Sequence, residues 1–293
     1  MPCIQVSIEL PAGSDPESYE RALLECGALS VTLTDAADQP VLEPAPGETP
    51  TWPHTRVTGL FAGGVDTADV ERRLVRALGM GEPPALRVEP LEDRDWARAW
   101  MDAFRPMRFG RRLWICPEGS EPPEPGCAVL LLDPGLAFGT GTHPTTALCL
   151  EWLDAHPPAG LEVIDYGCGS GVLAVAAALL GARGVRAVDN DPQALAATRA
   201  NAAKNGVAPA VHAFAAEALP GEPADVLLAN IVARPLCELA QCFAGLVRAQ
   251  GRIVLSGILE SQVDALRSAY TPWFQLSAPA LREGWARLEG QRK

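Results

Sequence analysis

The chain has 293 residues, of which 48% are hydrophobic and 20% are charged, and its formal net charge is −12. These values are typical of a globular protein of about two domains. The most apolar helical stretch, residues 172–180, is too short to span a bilayer. The eight cysteines have neither C-x-x-C spacing nor histidine partners, which argues against zinc sites and disulfide frameworks. We therefore expect a cytoplasmic protein with no membrane segment and no metal site.

Residues 1–92 predict a small ferredoxin-like α+β domain. Strands are expected at residues 4–10, 29–33, 56–62 and 85–91, with one helix after Ser14 and another at residues 67–78. This βαββαβ order gives an antiparallel sheet with two helices on one face. Ser14 and Glu17 match a capping box at the start of the first helix.

The charge of the chain is concentrated in this first domain. Residues 1–92 contain 15 acidic and 6 basic side chains, whereas residues 93–112 contain 3 acidic and 6 basic ones. An acidic domain repels nucleic acid and attracts a basic partner; the alternative is that its acidity only maintains solubility. We expect the domain to dock a protein and to make no direct contact with nucleic acid.

Residues 93–112 are predicted to connect the two domains. Trp96, Trp100 and Phe104 recur at i, i+4 and i+8 of a short helix that Pro106 ends. We expect this aromatic stripe to dock between the domains and the segment to act as a hinge. A basic cluster facing the second domain or solvent follows, formed by Arg105, Arg108, Arg111 and Arg112.

Residues 113–293 predict a doubly wound α/β domain, because apolar strand-like runs alternate with helical stretches. The last two runs, at residues 273–278 and 285–289, are expected to form a hairpin that supplies one antiparallel strand. In an open parallel sheet, ligands bind at the carboxyl ends of the strands. Polar residues at those ends are therefore the candidates for a functional site.

The stretch D-Y-G-C-G-S-G, residues 165–171, predicts a ligand-binding loop between a strand and an apolar helix. Gly167 and Gly169 allow the backbone to approach a ligand closely. Asp189 ends the next strand, where its carboxylate can accept hydrogen bonds from both hydroxyls of a ribose. The dinucleotide fingerprint places its third glycine one position later, which disfavours an NAD-dependent dehydrogenase. A glycine-rich turn that binds nothing is the alternative.

A second signal is the stretch F-G-T-G-T-H-P-T-T, residues 138–146. His143 precedes a helix that Thr145 and Thr146 open. The two threonines either cap the helix backbone or bind a ligand. Asn230 follows an apolar strand at residues 224–229, so we expect its side chain at the same sheet edge as the glycine-rich loop and Asp189.

The acid and glycine pattern of residues 165–171 resembles the S-adenosylmethionine-dependent methyltransferase fold, a doubly wound seven-stranded sheet. Together with residues 138–146, V-D-N-D at 188–191 and A-N-I at 229–231, it resembles the PrmA family over essentially the whole chain. The resemblance implies N-methylation, commonly trimethylation, of lysine side chains and the N-terminal amine of large-subunit ribosomal protein eleven. It also implies that the first domain recognises this basic ribosomal protein. The implied contacts with S-adenosyl-L-methionine are Thr146, Gly167, Gly169, Asp189 and Asn230.

Two residues are candidates for catalytic roles in such a methyltransferase. The side-chain oxygen of Asn230 is expected to orient the substrate amine toward the methyl group. His143 is the candidate for receiving the amine proton through water, and a loop or cap role is its alternative. The rival functions are an S-adenosylmethionine-dependent N-methyltransferase of another protein or a small amine, and a non-catalytic binding module. We expect the chain to act as a monomer.

Overall fold

The structure is a computed structural model and describes residues 3–11, 13–37, 52–91, 105–120, 124–132 and 143–293. Contacts between Cα atoms divide the chain into two compact units, Met1–Trp96 and Ala97–Lys293. The predicted aromatic helix with Trp96, Trp100 and Phe104 lies outside the described residues, as do residues 133–142.

The first unit has the predicted βαββαβ order in its described residues. Its strands pair antiparallel, with the third strand between the second and the first and the fourth at the other edge. This is the predicted ferredoxin-like arrangement. The elements are β1 (Cys3–Glu9), α1 (Pro16–Glu25), β2 (Ser30–Asp35), β3 (Thr55–Ala62), α2 (Thr67–Leu78) and β4 (Leu86–Leu91).

Helix α1 begins one residue later than the predicted capping box requires. Asp15 is the N-cap, and its carboxylate accepts a hydrogen bond from the backbone N–H of Glu17 at 3.2 Å. Pro16 fits the first turn because the backbone N–H that it lacks has no partner within the helix there. The predicted capping box of Ser14 and Glu17 is therefore wrong, since the aspartate next to the proline takes the cap position.

A small sheet begins the described part of the second unit, formed by β5 (Met107–Phe109), β6 (Leu113–Cys116) and β7 (Ala128–Leu131). Strand β6 pairs antiparallel with β5 and parallel with β7. The sequence predicts β6 and β7 but not β5, which lies in the range predicted as connector. The turn after β5 is fixed by Asp154, whose carboxylate accepts the backbone N–H groups of Arg111 and Arg112 at 2.6 and 3.0 Å.

The remaining strands of the second unit form its principal sheet. They are β8 (Glu162–Tyr166), β9 (Gly184–Val188), β10 (Val211–Phe214), β11 (Ala224–Asn230), β12 (Val247–Leu259), β13 (Phe274–Leu276), β14 (Ala280–Arg282) and β15 (Trp285–Arg292). Among the described residues, seven strands follow one path in the order β10-β9-β8-β11-β12-β15-β13, and β14 pairs with β15.

Helices cover the principal sheet and alternate with its strands. They are α3 (Pro144–Ala155), α4 (Val172–Leu179), α5 (Pro192–Lys204), α6 (Ala233–Glu238), α7 (Ala240–Leu246) and α8 (Val263–Tyr270). The helix expected at residues 235–249 is instead α6 and α7, followed by the start of β12. Val247 pairs with Ala224 of β11 in an extended conformation, so sheet pairing overrides the helical pattern there.

The direction of the strands confirms the predicted doubly wound fold. Strands β8 to β12 pair parallel to one another, and β15 is antiparallel to β12. The ends of β8, β9, β11 and β12 therefore meet at one edge, which we call the carboxyl edge. Within the ranges that the structure describes, no helix combines the length and the apolar character needed to cross a bilayer.

Candidate active site

The loop after β8, residues 167–171, turns sharply at the carboxyl edge, and we call it the glycine loop. Gly167, Gly169 and Gly171 have φ angles of 78°, 53° and 78°, a region that residues with a Cβ rarely adopt. A Cβ on Gly167 would overlap the side chain of Ile231, which follows Asn230. The backbone of the loop therefore lies directly against the end of β11.

Asp189 follows β9 and faces the glycine loop. Its Oδ2 accepts the backbone N–H of Gly169 at 2.9 Å, and its Oδ1 accepts the backbone N–H of Asp191 at 3.0 Å. The side chain is half-buried, and a carboxylate oxygen can accept more than one hydrogen bond. The structure thus brings Asp189 and Gly169 into direct contact and leaves acceptor capacity for a ligand hydroxyl.

Asp165, near the end of β8, is buried beneath the glycine loop. Its Oδ2 accepts the backbone N–H of Ala174 in α4 at 2.9 Å, whereas its buried Oδ1 has no hydrogen-bond partner in the described residues. Burial, and to a smaller degree the carboxylate of Asp189, raises the pKa of Asp165 to about 7, against the opposing effect of the Ala174 N–H. A buried oxygen without a partner marks a place where a bound donor group would be stabilised.

Helix α5 supports the glycine loop from behind. Buried Thr198 donates from Oγ1 to the carbonyl of Gly169 at 3.1 Å. Nearby, Asn201 donates from Nδ2 to the carbonyl of Ser170 at 2.8 Å. A Cβ on Gly171 would lie 2.7 Å from the Thr198 hydroxyl oxygen. These contacts hold the loop backbone in a fixed shape.

Asn230 and Thr146, which are far apart in sequence, meet at the carboxyl edge. The Nδ2 of Asn230 donates a hydrogen bond to Oγ1 of Thr146 at 3.2 Å. Thr146 is buried in the first turn of α3, and Asn230 is half-buried at the end of β11. This bond fixes the orientation of the amide, so Oδ1, its acceptor atom, is held in place to accept a hydrogen bond from a substrate.

His143 is the N-cap of α3. Its Nδ1 accepts the backbone N–H of Thr145 at 3.3 Å and lies 2.7 Å from the Thr145 hydroxyl. Burial lowers the pKa of His143, and the carboxylate of Glu283 partly opposes this shift. The imidazole also forms a T-shaped pair with the indole ring of Trp285, with ring centroids 4.7 Å apart. The geometry gives His143 the cap role, while its role as a proton acceptor stays a prediction.

The residues predicted as contacts for S-adenosylmethionine fit such a group. Asp189 offers a half-buried carboxylate to ribose hydroxyls, and the glycine loop allows close approach of backbone to ligand. Among the described residues, no group of three or more His, Cys, Asp or Glu side chains could hold a metal ion.

Comparison with known proteins decides the family. A family model described as "Ribosomal protein L11 methyltransferase (PrmA)" matches residues 3–293. The chain belongs to the PrmA family. The assignment confirms the family resemblance drawn from the motifs, the methyltransferase fold, and S-adenosylmethionine as the methyl donor of this class.

Relatives in the PrmA family match over their full length. The chain is 52% identical over 294 residues to the ribosomal protein L11 methyltransferase of Pseudomonas paraeruginosa, a match that covers 100% of this chain and 99% of that protein. The same identity holds for the Azotobacter vinelandii protein of that name, with 100% of both chains covered. The crystal structure of the ribosomal protein L11 methylase from Lactobacillus delbrueckii subsp. bulgaricus has a TM-score of 0.60 and 32% identity, and it matches 65% of this chain and 100% of its own.

The sequence patterns do not reveal every residue of this PrmA-family site. Asp165 is visible only as an acid before the glycine loop, because its burial and orphaned oxygen depend on packing. The contact of Thr198 with the loop depends on how α5 packs. Trp285 is far along the chain from His143, and no local spacing connects the two rings.

Proposed function

We propose that this chain transfers methyl groups from S-adenosyl-L-methionine to ribosomal protein L11, at lysine side chains and the N-terminal amine, commonly to the trimethyl state. The observation that carries the proposal is the junction at the carboxyl edge, where Thr146 holds Asn230 beside the glycine loop. Relatives that match over their full length are named ribosomal protein L11 methyltransferases, which supports L11 as the substrate.

The protein's part in the reaction is to position two reactants. S-adenosylmethionine, when bound, supplies a methyl group on a sulfonium whose sulfur is already a good leaving group. Asp189 binds the ribose, and Gly167 and Gly169 let the loop backbone lie against the ligand. Thr146, buried in α3, fixes the side chain of Asn230 at the same edge.

The substrate amine has to be neutral and oriented. A lysine amine has a reference pKa of about 10.4, so it must lose a proton before it attacks. A site of low dielectric constant lowers the pKa of a buried amine without a dedicated base. Oδ1 of Asn230 accepts a hydrogen bond from the amine N–H, which directs the nitrogen lone pair toward the methyl group.

The acidic first domain is the part that recognises the substrate in this proposal. Its 15 acidic and 6 basic side chains in residues 1–92 attract a basic ribosomal protein. The part of the connector that precedes β5 acts as the hinge that lets several amines of one substrate reach the site. An engineered disulfide that locks the two domains should then change the set of modified amines.

Mass spectrometry of a defined reaction tests the function. The purified chain is incubated with S-adenosylmethionine and with L11 from a strain that lacks L11 methylation. We expect L11 to gain mass in steps of one methylene unit, and an Asp189→Ala variant to modify it far more slowly at subsaturating S-adenosylmethionine. If L11 gains no mass while another protein or a small amine does, the broader N-methyltransferase alternative holds. If calorimetry detects no binding of S-adenosylhomocysteine, methyl transfer itself is refuted.

The monomeric state, the absence of direct nucleic acid binding and the cytoplasmic location stay predictions. Sedimentation velocity of the purified chain tests the monomeric state. A binding assay with a ribosomal RNA fragment, in which L11 is the positive control, tests the absence of direct nucleic acid binding.

A further inference from the structure

A strained two-residue turn joins β14 to β15. Arg282 and Trp285 pair across it, and the turn residues Glu283 and Gly284 have φ angles of 51° and 77°. These angles define a type I′ turn, which favours Asn, Asp or Gly at both central positions. Among the described residues, the non-glycine residues with positive φ are Glu283 and Gln250. A glutamate at such a position is a reason to look for a function.

The turn lies at the carboxyl edge. Trp285, the first residue of β15, pairs with the last residue of β12, and Asn230 pairs with Ser256 of the same strand. The buried hydroxyl of Ser256 lies 3.3 Å from the carbonyl of Thr145 and 3.0 Å from that of Ala286. The end of β11, the start of α3 and the start of β15 therefore meet around one side chain.

Helix α3 holds the turn in place. The Nη2 of Arg282 lies 2.9 and 3.1 Å from the two carboxylate oxygens of Glu151. One turn earlier in α3, the carbonyl of Leu148 accepts a hydrogen bond from Nη1 of Arg287 at 2.8 Å. Both strands of the hairpin are thus fixed to the helix that bears Thr146, so Glu283 is presented from a rigid element.

The side chains of the turn suit a cation. Glu283 is exposed, and its carboxylate acts on the nearby imidazole of His143. The neighbouring Arg282 pairs with Glu151 instead. Trp285 is half-buried, and its indole ring forms a T-shaped pair with the imidazole of His143. A carboxylate attracts an ammonium by charge, and an indole ring attracts a cation through its face.

We propose that Glu283 and Trp285 form an ammonium-binding site at the carboxyl edge, which captures cationic amines of the protein substrate before methyl transfer. Glu283 attracts the ammonium, and Trp285 offers an apolar face to the lysine or to its methylated forms. The inference rests on the proposed function for the identity of the substrate. Glu283 is a binding residue here and takes no part in the transfer step.

Steady-state kinetics with L11 test the site through Glu283. We expect Glu283→Gln to raise the KM for L11 about tenfold at low salt, to leave kcat within about twofold, and to weaken the dependence of KM on ionic strength. Glu283→Asp, which keeps the charge and is better tolerated in the left-handed region, should restore most of the affinity. Glu222→Gln, an exposed glutamate just before β11 at the opposite edge, is the matched control and should behave as wild type.

A second variant separates binding from turn stability. Glu283→Gly relieves the backbone strain, so its Tm should rise while its KM for L11 increases as in Glu283→Gln. The proposal is overturned if Glu283→Gln has the wild-type KM at all salt concentrations, or if Glu222→Gln raises KM to the same extent.

A binding measurement that needs no turnover keeps this test apart from that of the proposed function. The indole resonance of Trp285, assigned by its loss in Trp285→Phe, is followed by NMR during titration with N-acetyl-lysine methylamide in the presence of S-adenosylhomocysteine. We expect a saturable shift in wild type and several-fold weaker binding in Glu283→Gln. A resonance that does not move, or that moves equally in both proteins, refutes the ammonium site even if L11 is methylated. If the indole resonance shifts but L11 is not methylated, the ammonium site is supported and L11 as the substrate is refuted.

Discussion

The amide nitrogen of Asn230 donates a hydrogen bond to the hydroxyl oxygen of Thr146 at 3.2 Å and so joins the end of β11 to the first turn of α3. Because this bond engages Nδ2, the orientation of the amide is set and Oδ1 is left as its acceptor. A substrate amine at the carboxyl edge therefore meets an acceptor in a fixed position.

Replacing Asn230 should affect turnover far more than cofactor binding. We expect Asn230→Ala to lower kcat by about a hundredfold, because the amine loses its orienting acceptor. The Kd for S-adenosylhomocysteine should change by less than about threefold. Single-turnover kinetics measure the rate of methyl transfer, and calorimetry measures the Kd for S-adenosylhomocysteine. Equal losses in both would contradict a role in positioning the amine.

The hydroxyl of Thr146 should matter through Asn230. Thr146→Val removes the acceptor of the Nδ2 bond, and we expect kcat to fall about tenfold as the amide becomes free to rotate. Thr146→Ser keeps the oxygen and is the matched control, with nearly wild-type kcat. In the Thr146→Val/Asn230→Ala double variant, the two losses should not add, because both remove one interaction. If the losses of kcat were fully additive, Thr146 and Asn230 would act independently of each other.

Asp189 should control affinity for the cofactor. Asp189→Ala removes an ionised acceptor of ribose hydroxyls and the partner of the Gly169 N–H, so we expect the Kd for S-adenosylhomocysteine to rise by a factor on the order of a hundred. Asp264→Asn, which removes an exposed carboxylate on α8, should leave this Kd unchanged. A Kd for Asp189→Ala equal to that of wild type would refute the ribose contact.

The fit between Gly167 and Ile231 can be tested with a matched glycine. Gly167→Ala places a methyl group into the Ile231 side chain, whereas Gly160, with a similar φ of 74°, has open space around it. We expect Gly160→Ala to cost about 1–2 kcal/mol from backbone strain alone. Gly167→Ala should cost more and weaken cofactor binding. Adding Ile231→Ala should recover the steric part only, as measured by urea unfolding; no recovery would show that the overlap is relieved in another way.

The burial of Asp165 should appear as a dependence of stability on pH. Its pKa rises from 3.8 in the unfolded chain to about 7 in the fold. The folded state therefore binds more protons between these values, and the unfolding free energy decreases as pH rises from about 4 to 7. In Asp165→Asn this decrease, on the order of a few kcal/mol, should be absent. Urea unfolding at several pH values measures it, and parallel pH profiles for the two proteins would contradict the raised pKa.

The local patterns of the chain predict many elements closely. Helix α2 occupies the predicted residues 67–78 because Asp66 caps its start and Gly79, with φ of 63°, ends it. The glycine loop follows from the spacing of glycines between an apolar strand and an apolar helix. Both cases depend on interactions within a few residues, which a single sequence displays.

Other elements depend on partners that are distant in the chain. Strand β5 forms where Asp154 of α3 holds the following turn, and β12 begins at Val247 because Ala224 of β11 pairs with it. The sequence near residues 105–112 and 235–249 favours different structures when considered alone. Pairing across the sheet decides these segments, because backbone N–H and C=O groups must be satisfied wherever the chain is buried.

Some features of the candidate site likewise follow from the sequence, whereas others depend on tertiary packing. The sequence determines that Asp189, Asn230 and the glycine loop lie at the carboxyl edge, since the position of a residue at a strand end follows from apolar patterning and parallel topology. Only the tertiary structure decides that Asn230 bonds to Thr146, that Asp165 has a buried oxygen without a partner, and that Trp285 meets His143. These contacts join segments far apart in the chain, and their distances arise from packing that local propensities do not encode.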